Sequence, residues 1–92
     1  MSVMQRLLVS GRIHQVGYRN WTVKTAQALG VTGWIRNRND GRIEILACGE
    51  PDAVTALIDA CRQGPPQARV DHVEAVPEEG RPVKGFTKRF TA

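Results

Sequence analysis

Thr32-Gly33-Trp34-Ile35-Arg36 and Arg42-Ile43-Glu44-Ile45-Leu46-Ala47, joined by Asn37-Arg38-Asn39-Asp40-Gly41, form the stretch on which the fold turns. The first segment carries a β-branched residue and an aromatic. The second sets Ile43, Ile45 and Ala47 against Arg42, Glu44 and Leu46, the period of a strand with one buried face. Asp40-Gly41 supplies the turn, because glycine reaches positive φ without steric cost and aspartate tolerates it. Two antiparallel strands are predicted.

Working outward, each side of this hairpin offers a helix. Before it, Tyr18 to Leu29 contains no Gly or Pro, and Tyr18, Trp21, Thr22, Thr25, Ala26 and Leu29 recur at three- and four-residue intervals. Gly30 follows, as expected of a left-handed C-terminal cap. After the hairpin, Pro51 suits a first helical position, and Val54, Leu57, Ile58 and Cys61 repeat as i, i+3, i+4, i+7. Gly64-Pro65-Pro66 ends that helix. Farther out, Arg6 to Ser10 reads as a strand ending at Gly11, and Val70 to Val76 as another. An acidic turn from Pro77 to Pro82 leads to a last short strand, Gly85 to Thr91, with Phe86, Lys88 and Phe90 on one side.

The order is βαββαβ with a short C-terminal strand. Two helices with one amphipathic face each cover one side of a small antiparallel sheet, so the predicted fold class is α+β, a two-layer ferredoxin-like sandwich. Ninety-two residues, 41% apolar and 24% charged, suffice for one domain with its own core, taken as residues 1–92. Thirteen Lys+Arg against nine Asp+Glu leave a net charge of +4, which favours anionic partners without choosing among them. No apolar run approaches the roughly 20 residues of a membrane span. The opening Met1-Ser2-Val3-Met4-Gln5-Arg6 lacks an apolar signal region, so a cytoplasmic protein is expected. A monomer is expected. Cys48 and Cys61, with His14 and His72, are scattered without metal-ligand spacing. The thiols read as free and buried, and no metal site is indicated.

The segment with chemical content runs from Gly11 to Arg19. A glycine-flanked loop here joins a strand to a helix, so loop amides and the unpaired N–H groups of the first helical turn can converge on an anion. Arg19, at the start of that helix, would add a planar fork of donors suited to phosphate oxygens. The spacing matches neither GxxxxGK[ST] nor GxGxxG. On spacing alone, the preferred reading is that Gly11 and Gly17 serve turn geometry and Arg19 lies in solvent.

Val9-Ser10-Gly11-Arg12-Ile13-His14-Gln15-Val16-Gly17-Tyr18-Arg19 resembles the signature of the acylphosphatases, roughly G-[RK]-V-Q-G-V-x-[FY]-R. A second signature of that family is matched by Gly33-Trp34-Ile35-Arg36-Asn37 with Gly41 and Ile43. Gly64 to Val70 and Gly85-Phe86 resemble it as well. The resemblance implies hydrolysis of the carboxyl-phosphate anhydride of a small-molecule acyl phosphate, with no metal and no other cofactor. Carried over, it makes Arg19 the phosphate-binding arginine. The loop of Arg12, Ile13, His14, Gln15, Val16, Gly17 and Tyr18 supplies backbone donors, and Asn37 holds the attacking water.

The chain departs from the pattern at His14-Gln15, where the family usually has Gln then Gly. A positive φ there would strain Gln15 by on the order of 1 kcal/mol; an ordinary φ, with Gln15 tolerated, is expected. His14 is read as solvent-facing, and Tyr18 and Trp34 as core or core-edge aromatics. Arg36, Arg38 and Arg42 form a basic patch around the hairpin, open to steering anions or simply to solvent. An RNA-binding module of the same element order would need aromatics exposed on its central strands, and Ile43 to Ala47 offers none. A small regulatory or ligand-binding domain would share the fold but would not need Arg19 and Asn37 together. Neither nucleic acid nor membrane is expected as a partner.

Overall fold

The computed structural model describes residues 1–91. The elements follow in the order β1 (Val3–Arg12), α1 (Tyr18–Leu29), β2 (Thr32–Asn37), β3 (Ile43–Gly49), α2 (Pro51–Gln63), β4 (Arg69–Pro77) and β5 (Phe86–Lys88). The strands form one sheet in the order β4-β1-β3-β2-β5. The hairpin is in place, with Ile35 opposite Ile45 and Asn37 opposite Ile43. Both helices lie on one face and bury their predicted stripes. In α2 these are Val54, Leu57, Ile58 and Cys61, and in α1 they are Tyr18, Thr22 and Ala26. Leu7, Val9, Ile35, Ile43, Ile45 and Val73 meet them from the sheet. Each large aliphatic side chain so buried contributes about 1.5–3 kcal/mol. Cys48 and Cys61 are free and buried, as expected.

The C-terminal strand corrects the expectation of a purely antiparallel sheet. Strands β1 to β4 pair antiparallel, but β5 lies parallel to β2, with Gly33 opposite Phe86. The connection from Pro77 to Phe86 starts where β4 ends and must re-enter the sheet from that same end. β5 therefore runs opposite to β4, which makes it parallel to β2. It is also shorter than predicted: Phe86 is buried, whereas Phe90 lies beyond the strand and is 96% exposed.

A second correction concerns the alternation in β3. Ile43, Ile45 and Ala47 face the helices, but Glu44, Leu46 and Cys48 are buried too. β3 is the middle strand, and Glu44 is covered by arginine side chains from its neighbours. Arg6 Nη1 lies 3.3 Å from Glu44 Oε2 and Arg36 Nη2 2.8 Å from Oε1, with Arg38 at 3.8 Å. Burial pushes the Glu44 carboxyl up, but the hydrogen bonds of Arg36 and Arg6 and the charges of Arg36 and Arg38 outweigh it. The net position is below the ordinary range. At the hairpin tip Asp40 accepts from Arg38, from Arg42 and from the Arg42 amide, and those bonds hold its carboxyl well below the usual range. The basic patch expected around the hairpin is thus largely paired.

Candidate active site

β1 carries a register shift between Ser10 and Gly11 and then leaves the sheet. A Cβ on Gly11, at φ +134°, would collide with the Arg69 carbonyl oxygen, so only glycine lets the edge strand pass this closely. The loop that follows delivers the chain to α1, whose N-cap Gly17 stands at φ +76°. No side chain caps that N-terminus and its first turn holds no acidic residue. Its amides and the positive end of its dipole are left for an external anion.

That end of the helix opens into a cavity of about 350 Å³, walled on the loop and helix side by Ile13, His14, Gln15, Gly17, Tyr18 and Arg19. Asn37, at the end of β2, closes it from the sheet, and Asn20 and Lys88 complete the lining. Arg19 is half-buried. Among the described residues its guanidinium has neither an ion pair nor a side-chain hydrogen bond. Asn37 Oδ1 is buried with no hydrogen-bond partner. A buried carboxamide oxygen without a donor costs about 1–3 kcal/mol, which a water or ligand donor can recover.

The expected site residues therefore converge, with two exceptions. Arg12 is exposed at the end of β1 and does not line the cavity, and Val16 packs against the core. Gln15 contradicts the expectation of an ordinary backbone: its φ is +60°, the left-handed region, and it is the one such non-glycine residue among those described. His14 is exposed as predicted, but its Nε2 lies 2.8 Å from the Gly41 carbonyl oxygen. Tyr18 is a core residue whose hydroxyl donates to the Cys61 carbonyl at 2.9 Å, fixing α1 to α2. Burial, and then the nearby Cys61, raise its phenol well above the ordinary range. Trp34 lies outside the core between sheet and helices: it is half-buried on the uncovered sheet face, with the guanidinium groups of Arg36 and Arg89 over its ring at 4.8 and 5.0 Å. Lys88 and Asn20 were not anticipated. Lys88 reaches the cavity only because β5 is parallel to β2, which no local signal announced.

A larger hollow, of about 780 Å³, opens at the other end of β1 around Met4, Thr32 and Cys48. Its lining includes Glu50, Glu78 and Glu79 and no Lys or Arg, so it offers a phosphate no cationic side chain of its own lining. Arg19, Asn37 and most of the expected loop residues line the smaller cavity instead.

A family model for acylphosphatase matches residues 5–90. The chain belongs to the acylphosphatase family. An acylphosphatase of Rhodospirillum rubrum is 48% identical over 88 residues, covering 94% of this chain and 97% of its own. Among solved structures, an acylphosphatase from Coxiella burnetii superposes with a TM-score of 0.91 at 33% identity, covering 96% of this chain and 93% of its own. One from Bacillus subtilis gives 0.81 at 32% identity, covering 99% and 97%. The ferredoxin-like fold expected from the element order and the acylphosphatase class of enzyme implied by the two signatures are both borne out. No helix among the described residues is long and apolar enough to cross a membrane.

Proposed function

We propose that this chain cleaves acyl phosphates by holding the phosphoryl group between Arg19 and the cavity-lining backbone amides of the loop between β1 and α1, while Asn37 aims the attacking water. One observation carries the reading: an unpaired guanidinium, an uncapped helix N-terminus and an orphaned carboxamide oxygen share one cavity. Phosphoryl transfer asks chiefly for positioning and for charge stabilisation on three equatorial oxygens, which fixed N–H donors and a guanidinium provide. The water oxygen forms a bond to phosphorus as the bond from phosphorus to the acyl oxygen breaks. The electron pair of that bond leaves on the carboxylate.

A carboxylate is a good leaving group, with a conjugate acid pKa of about 4, so no strong general acid is required. The Asn37 amide oxygen accepts a hydrogen bond from the water but is too weak a base to take its proton. That proton passes to a non-bridging oxygen of the substrate phosphate. The products are a carboxylate and inorganic phosphate. Phosphate release from benzoyl phosphate in the presence of a metal chelator tests the scheme. The parent protein turns over, and Arg19→Gln and Asn37→Ala each lose about 10²–10³-fold in kcat/KM. Wild-type rates in both variants would refute the assignment.

A further inference from the structure

The phosphate cavity does not end at Lys88. A second hollow, of about 510 Å³, runs between α1 and β5 and shares Asn20 and Lys88 with the first. The shared rim is ordered by a hydrogen bond from Lys88 Nζ to Asn20 Oδ1, at 2.7 Å. Buried Phe86 and half-buried Val23 give the second hollow apolar surface, and Lys24 and Lys88 bring two ammonium groups to it. Among the described residues neither lysine has an ion pair, and no carboxylate lines either hollow.

We infer that this second hollow receives the acyl part of the substrate and selects acyl phosphates whose acyl group carries a free carboxylate beyond a short apolar spacer. The inference rests on the reading of the phosphate cavity given above. A substrate anchored there by its phosphoryl group reaches the α1–β5 hollow across the Asn20–Lys88 rim. Its spacer then meets Val23 and Phe86, and its far carboxylate meets Lys24 and Lys88. Both ammonium groups are exposed, so the gain is that of solvent-screened pairs and falls with salt. It acts away from the reacting phosphorus and is felt equally in ground and transition states, which places it in KM rather than kcat.

The test compares 4-carboxybenzoyl phosphate with benzoyl phosphate and with the neutral 4-carbamoylbenzoyl phosphate, three rigid substrates with similar leaving groups. The parent protein favours the carboxylated substrate about fivefold in kcat/KM at low salt, through KM. In the Lys24→Met/Lys88→Met double variant the preference falls to within about twofold. Equal kcat/KM for all three in the parent, or a preference that survives in the double variant or at high salt, would overturn the inference. Absence of hydrolysis of all three would sink the proposed reaction instead. Calorimetric titration with 4-carboxybenzoylphosphonate and benzoylphosphonate then decides the hollow: tighter binding of the former, lost in the double variant, sustains it, and equal binding rejects it.

Discussion

His14 Nε2 lies 2.8 Å from the carbonyl oxygen of Gly41, which ties the loop between β1 and α1 to the tip of the β2–β3 hairpin. A carbonyl only accepts, so Nε2 carries the proton. Gly41 follows Asn37 by four residues, and the bond therefore couples the cavity-lining loop to the strand end that carries Asn37. His14→Ala is expected to lower kcat/KM for benzoyl phosphate by about three- to tenfold, the range of one net hydrogen bond, while leaving the unfolding free energy within about 1 kcal/mol. His14→Gln, which keeps a donor, recovers part of the loss. Steady-state rates with parallel urea melts check this; an unchanged rate in His14→Ala would remove the tie from the account.

Gln15 holds the left-handed conformation at φ +60°, strained by about 1 kcal/mol yet accessible to an unbranched side chain. Gln15→Gly relieves that strain, is expected to raise stability by about 0.5–1 kcal/mol, and changes turnover less than tenfold. Gln15→Val places a β-branched residue where it does not fit and destabilises. Thermal melts and benzoyl phosphate kinetics on both variants decide the matter. A hundredfold gain in rate for Gln15→Gly would mean that the side chain obstructs the loop.

Glu44 is 2% exposed beneath Arg6, Arg36 and Arg38. Its folded carboxyl titrates below its ordinary value of 4.5, so the stabilisation it gives is present above that pH and is lost as the pH falls through the lower, folded value. Glu44→Gln is expected to cost about 1–3 kcal/mol at neutral pH, because the arginines lose their buried partner. The variant should also lose less stability than the parent as the pH falls through 4.5 and below. Parallel pH profiles of the two would contradict the assignment.

Much of this was legible in local signals. Helical periodicity located Tyr18–Leu29 and the stripe of α2, Asp40-Gly41 located the hairpin, and the two signatures placed Arg19 and Asn37 together. What escaped depends on contacts between distant segments. The parallel pairing of β5 follows from where β4 ends, not from the composition of Gly85–Thr91. The burial of Glu44 needs arginines from β1, β2 and the hairpin loop on one carboxylate, a relationship invisible along the chain. Lys88 enters the cavity for the same topological reason as β5 itself. The ordinary φ expected at Gln15 is wrong because a glutamine carries no backbone signature of its own; the glycine usual there in the family was the signal for the left-handed region.

The division of labour between Arg19 and Asn37 is tested most directly by calorimetric titration of inorganic phosphate into the parent and the two variants. Arg19→Gln is expected to weaken phosphate binding about 30-fold or more, whereas Asn37→Ala, despite its lost turnover, keeps the parent's affinity within about threefold. Parental phosphate affinity in Arg19→Gln, or an Asn37→Ala protein that no longer binds phosphate, would contradict the account.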